Sequence, residues 1–248
     1  MSPQASFDVH CPDDRRCDVL VLGLSTPGLA GVTATDYLVR QFDCEEIGHL
    51  APDGLPGVTP FANGTPRHHT RVYDVADSPL SLVVGELFVP VWAAASFVDS
   101  LLGWAERAGV DEIVVPYGVA YPHGPDEHGV FSVATPAYRD RRLDGTTIEG
   151  LRGGVLDGVV GEVMARSLAG DAPPAGALVT PIHPPGPDLD AALSLIDALE
   201  GVYGFDVDER DLREQSTELR RYYAALADRM AAIEEESGRE YPEDRSYM

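Results

Sequence analysis

The run C-D-V-L-V-L-G at residues 17–23, followed by L-S-T-P-G-L-A-G at 24–31 and T-A-T-D-Y-L-V-R-Q-F at 33–42, decides the fold class. A short apolar run between Asp13-Asp14 and a glycine-rich turn is the pattern of a strand covered on both faces. Beyond the turn, Tyr37 and Leu38 fall on one helical face, and Pro27 and Gly28 stand just ahead of them. The spacing therefore predicts a helix over 33–42. Strand, turn and helix in this order open an α/β sheet.

Working outward, apolar runs predict further strands at 70–74, 80–84, 112–116, 130–134 and 177–181. Between them lie helical patterns at 93–108, with Phe97, Leu101, Leu102 and Trp104 on one face, and at 155–168 and 189–199. Strands alternating with helices imply an α/β fold, a three-layer αβα sandwich with a largely parallel sheet, here assigned to residues 1–205. The Gly- and Pro-rich segments 51–69 and 117–129 are read as loops. Residues 206–237 are read as a charged helical appendage. In it Leu212, Leu219, Tyr222, Leu226, Met230 and Ile233 approximate an alternating three and four spacing. Such a seam either packs on its own domain or pairs with a second copy. Gly238 and Pro242 then predict the helix end, which leaves 238–248 as a mobile tail.

Composition narrows the class of partner. There are 41 acidic residues against 18 basic ones, every basic one is Arg, and the net charge is -23. At molar salt the Debye length falls to about 3 Å, which screens the self-repulsion of such a chain, so this is the composition of a protein adapted to a salt-rich cytoplasm. Nucleic acid is excluded as a partner, because phosphate binding needs a basic face and counterion release that high salt removes. No apolar stretch approaches the roughly 18 residues of a membrane span, and residues 1–10 lack a basic patch leading into an apolar run. The expectation is a soluble cytoplasmic protein without membrane contact. Cys11, Cys17 and Cys44 cannot all pair with one another and are expected as reduced packing residues.

The residues that carry chemistry do not assemble into a recognisable catalytic set. The turn G-L-S-T-P-G-L-A-G at 23–31 occupies the place of a phosphate cradle, but it lacks G-x-G-x-x-G spacing and no G-K-[ST] follows, so its glycines are assigned to tight strand-to-helix packing. His68-His69, and His123 with Asp126, Glu127 and His128, are histidine clusters without a rigid arrangement of metal ligands. His10, Cys11 and Cys17 contain no C-x-x-C pair. Ser25 is a candidate nucleophile, but Pro27 replaces the second glycine of a nucleophile elbow. Glu86 follows the strand at 80–84, at the edge where open sheets place their sites. No catalytic residue, metal or cofactor is expected.

Taken in order, the segments resemble the proteasome assembly chaperone family in its archaeal branch, homologues of the second eukaryotic assembly chaperone. The resemblance rests on P-G-L-A-G at 27–31 with its helix, V-V-G-E at 83–86, E-I-V-V-P-Y-G at 112–118, G-G-V-L-D-G-V-V-G-E at 153–162, and P-D-L-D-A-A-L-S-L-I-D-A-L at 187–199 before a charged helix. P-Y-G at 116–118 departs from the double-glycine end expected there. The resemblance implies a nucleoside-phosphorylase-like αβα fold without its catalytic set, binding of proteasome α-subunits, and homo-oligomers; the spacing makes Leu212, Leu219, Tyr222, Leu226 and Ile233 the candidate oligomerisation residues. The chain ends S-Y-M, similar to the hydrophobic-Tyr-any ending of proteasome activators, which makes Tyr247 and Met248 the partner-binding residues. The rival is a small-molecule hydrolase or phosphorylase acting on nucleoside-like substrates, with Ser25, Glu86 and His68 or His69 converging in a deep polar pocket.

Overall fold

All six residues of β2 (Val19–Leu24) are buried, as a run that is apolar on both faces requires. In the computed structural model, which describes residues 5–12, 16–121, 129–183 and 186–239, β2 lies inside an eight-stranded sheet. The other strands of this sheet are β1 (Ser6–His10), β3 (Cys44–Asp53), β6 (Thr70–Val75), β7 (Leu80–Gly85), β8 (Glu112–Val119), β9 (Phe131–Ala134) and β10 (Ala175–Pro181). A two-residue-stranded hairpin, β4 (Phe61–Ala62) and β5 (Thr65–Pro66), stands apart. The order is β1-β3-β6-β7-β2-β8-β10-β9. The parallel part is the centre, β7-β2-β8-β10, while β6, β3 and β1 on one side and β9 on the other add antiparallel pairs.

Helices cover both faces. On one, α1 (Ala30–Gln41) packs against α5 (Leu189–Tyr203), β2 and β8. On the other, α2 (Ala94–Ala108) packs against α4 (Gly158–Ala169). A short α3 (Pro136–Tyr138) continues as a π turn over Arg139–Leu143. Strand alternation divides the core: Leu20, Leu22 and Leu24 join Phe97, Leu101, Trp104, Val159 and Val163, while Val19 and Val21 face the α1 side. The indole N–H of Trp104 is buried without a partner among the described residues. That omission costs about 1–3 kcal/mol, but burying an aromatic of about 150–250 Å² at ~25 cal/mol/Å² returns about 4–6, so the apolar position wins.

The differences from the expected elements have local causes. Helix α1 starts at Ala30 rather than at residue 33, because Gly28 (φ 75) and Leu29 (φ 53) turn the chain at once. A Cβ on Gly31 would collide with the carbonyl oxygen of Pro116, and one on Gly23 with the Thr35 hydroxyl, so these glycines let α1 lie tight on the sheet. The loop expected at 51–69 contains the end of β3 and the β4–β5 hairpin, turned by Asn63-Gly64 with both φ positive (50 and 78). Strand β8 runs through P-Y-G to Val119 instead of ending at residue 116, pairing Pro116 with Leu178 and Gly118 with Thr180.

The chain divides into two compact units at 208/209. The described part of the second is one long helix, α6 (Arg210–Arg239), which continues through Gly238. Among the described residues, no helix is long and apolar enough to cross a membrane.

Candidate functional site

Where β2, β7 and β8 end, the chain leaves the sheet through residues 24–29 and 86–93, and the first turn of α4 closes the third side of a cleft. This is the carboxyl edge at which open α/β sheets hold their sites. The cleft encloses about 200 Å³. Leu24, Leu87, Val89 and Val159 give it an apolar lining, and its polar residues are Ser25, Thr26, Tyr117 and Asp157. Among the described residues, no Arg or His lines it. Asp157 is the N-cap of α4, yet its carboxylate makes no capping hydrogen bond. Burial, and then the Asp157 charge, hold the Tyr117 phenol above its ordinary range, so it stays protonated and able to donate.

The mouth of the cleft is unusually apolar. Phe88 and Val91 are each 62% exposed and Trp92, in the 3-10 turn Val91–Ala93 ahead of α2, is 49% exposed. Sequence reasoning did not pick out these residues. The signal was present in E-L-F-V-P-V-W-A at 86–93, a run of large apolar residues with neither strand nor helix period.

Of the groups proposed for a hydrolase or phosphorylase, Glu86 and His69 are neighbours, the Glu86 N–H donating to the His69 carbonyl at 2.7 Å, but neither they nor His68 line the cleft with Ser25. Ser25 lines the cleft, its backbone N–H donating to the Gly85 carbonyl at 2.8 Å. The Glu86 carboxylate instead accepts from Arg67 at 3.0 Å and from Arg71 at 2.5 Å. Arg71 is fully buried and also donates to the Tyr73 hydroxyl (2.6 Å) and the His68 carbonyl (2.8 Å). A carboxylate held by two guanidinium groups is a counter-ion rather than a general base. His69 is buried, with Nδ1 2.9 Å from the Thr70 hydroxyl, and burial followed by the neighbouring His68 keeps it below the usual histidine range. His68 stacks on His49, ring centroids 3.4 Å apart, and His49 in turn on His10 at 4.8 Å.

Cys17 is buried and its thiol donates to the Val19 carbonyl at 3.4 Å. Burial pushes the Cys17 thiol up to about 12 and those of Cys11 and Cys44 up to about 11, which disfavours the thiolate that redox or zinc chemistry uses. His123, Asp126, Glu127 and His128 lie outside the described residues.

Of the apolar seam, Leu212 is buried and Leu219 half-buried, while Tyr222, Leu226, Met230 and Ile233 are exposed on α6. Tyr247 and Met248 lie outside the described residues.

Pyrococcus furiosus PbaA, an archaeal homolog of proteasome-assembly chaperone, is similar in structure with a TM-score of 0.81 and 16% identity, over 95% of this chain and 98% of that one. PbaB from the same organism, an archaeal proteasome activator, gives 0.76 and 18%, over 91% and 99%. A PAC2 family protein from Streptomyces avermitilis gives 0.63 and 22%, over 87% and 98%. At such identities the likeness is one of fold. None of the curated proteins matches. The PAC2 family model matches residues 20–227, and on that match the chain belongs to the PAC2 family, in keeping with the order of segments that suggested an assembly chaperone.

Proposed function

We propose that the chain is a proteasome assembly chaperone-like protein that binds proteasome α-subunits or α-rings, partly through residues 238–248, and that it works as a homo-oligomer joined along the α6 seam. The observation that carries this reading is membership of the PAC2 family over residues 20–227, on a fold shared with PbaA, an archaeal homolog of proteasome-assembly chaperone, and PbaB, an archaeal proteasome activator. The Lys-free composition with net charge -23 supports action in a salt-rich cytoplasm.

In the tail Tyr247 is the anchor, since an aromatic ring with a hydroxyl at its tip fills an apolar pocket and still finds a hydrogen-bond partner. Truncating such an anchor costs about 2 kcal/mol, roughly thirtyfold in affinity, and more where several tails act together. The test is an equilibrium titration of purified proteasome α-rings at molar salt. Wild type should bind, Tyr247→Ala should bind each site about thirtyfold more weakly, and deletion of Tyr247 and Met248 should leave the fold unchanged. Wild type that leaves the α-ring unbound would sink the reading. A deletion variant that binds as tightly as wild type would remove the tail from it and leave the contact to the globular surface.

A further inference from the structure

We propose that the cleft at the ends of β2, β7 and β8 is a docking pocket for a partner polypeptide, taking one large apolar side chain whose neighbouring residue is Arg or Lys. Size argues for a side chain. Ligand pockets for whole small molecules run from about 300 to 1,000 Å³, and this cleft encloses about 200 Å³. That space suits a single anchor, and anchors of this kind dominate protein interfaces. The rim argues for a protein surface around the anchor, because Phe88 and Val91 line the cleft and are each 62% exposed, and Trp92, next in the chain after Val91, is exposed as well. On a chain of net charge -23, two exposed large apolar side chains lining one cleft, with a third next to them in the chain, mark a surface made to be covered.

Charge selects the residue beside the anchor. Asp157 lines the cleft, among the described residues no Arg or His does, and the Asp157 carboxylate caps nothing in α4. An anionic group approaching the first turn of α4 meets this carboxylate first and is repelled. A cationic group gains the ion pair, with the Tyr117 hydroxyl and Ser25 beside it. With 18 basic residues against 41 acidic ones, this chain has few cationic segments of its own to offer, so a basic segment of a different protein is the occupant that fits. This inference rests on the reading of the domain as a protein-binding one and adds the chemistry of what it holds.

Trp92 supplies the readout, since the sequence has two tryptophans and the other, Trp104, is fully buried. Acetylated peptides G-S-F-R-S-G, G-S-F-E-S-G and G-S-A-R-S-G are titrated into the protein at molar KCl while Trp92 emission is followed. The Phe-Arg peptide should shift the emission to the blue. It should bind about fivefold more tightly than Phe-Glu, the size of a rim ion pair, and at least tenfold more tightly than Ala-Arg. Val91→Asp, or Phe88→Ser should the first not fold, should abolish the shift. Asp157→Asn should erase the difference between Phe-Arg and Phe-Glu. The proposal is overturned by equal binding of Phe-Arg and Phe-Glu, by no shift at millimolar peptide, or by a shift that follows protein concentration alone and so marks an interface between copies. The peptides contain no proteasome component, so such a failure leaves α-ring binding to its own titration.

Discussion

Arg71 and Glu86 show how a residue singled out as chemical becomes structural once its neighbours are placed. Glu86 follows a strand end, which is where an active-site carboxylate would stand, and nothing local in the sequence says that it is occupied. Its partner is 15 residues away in chain order and is brought to it by the antiparallel register of β6 and β7, which pairs Thr70 with Gly85 and Arg71 with Val84. Register depends on long-range packing, so this ion pair was not legible in the sequence, whereas the glycines of 23–31 were, because a run of small residues between strand and helix marks close packing even where the partner, as Pro116 is for Gly31, lies far along the chain. The pair makes a prediction that separates the two roles. Arg71 is fully buried, so Glu86→Ala leaves a buried charge short of its main counter-ion, at a cost of about 3 kcal/mol. The melting midpoint should fall by roughly 6–12 °C for a chain of this size. A variant melting within 1–2 °C of wild type would show the ion pair to be dispensable and reopen a chemical role for Glu86.

At the scale of elements, the strands that could be read were those buried on both faces. β2 is apolar throughout, and β7, β8 and β10 are mostly apolar and buried along nearly their whole length, so their parallel centre was legible. β1 and β3 were missed. β3 reads C-E-E-I-G-H-L-A-P-D, mostly half-exposed and broken by a bulge at Glu46–Gly48, so its pattern has neither a clean alternation nor an apolar run. The cleft was half legible: Ser25 pointed to it, but the rim at 86–93 has no period to detect. Helix α6 carries the prediction at this scale. Tyr222, Leu226, Met230 and Ile233 follow one another at steps of four, four and three and are all exposed, a seam that a single helix in water gains nothing by keeping. Leu226→Asp with Ile233→Asp should lower the mass measured by light scattering from an oligomer to a smaller species, with circular dichroism of the domain unchanged. A folded double variant that keeps the wild-type mass would show that the seam does not join copies.

The whole molecule is governed by its charge. With 41 acidic and 18 basic residues, ion pairs such as Glu112 with Arg141 and Arg142 or Arg166 with Asp99 cannot match every carboxylate with a cation of its own. At 1 M salt the Debye length is about 3 Å and carboxylates on neighbouring turns scarcely feel one another; at 0.01 M it is about 30 Å and nearly the whole chain repels itself. Repulsion acts on the compact state more than on the expanded one, so the free energy of unfolding should fall as salt is removed. Native stability is only about 5–15 kcal/mol, small enough for many weak repulsions to cancel it. Dialysis from molar to millimolar KCl should therefore abolish the cooperative melting transition followed by circular dichroism, and returning the salt should restore it. Sucrose distinguishes the cause, because an excluded osmolyte strengthens apolar burial without screening charge. If screening is the cause, sucrose in place of KCl should recover only part of the transition. A melting midpoint that stays the same from molar to millimolar KCl would mean that the charge is tolerated without salt, and the salt-adapted reading of the composition would fall.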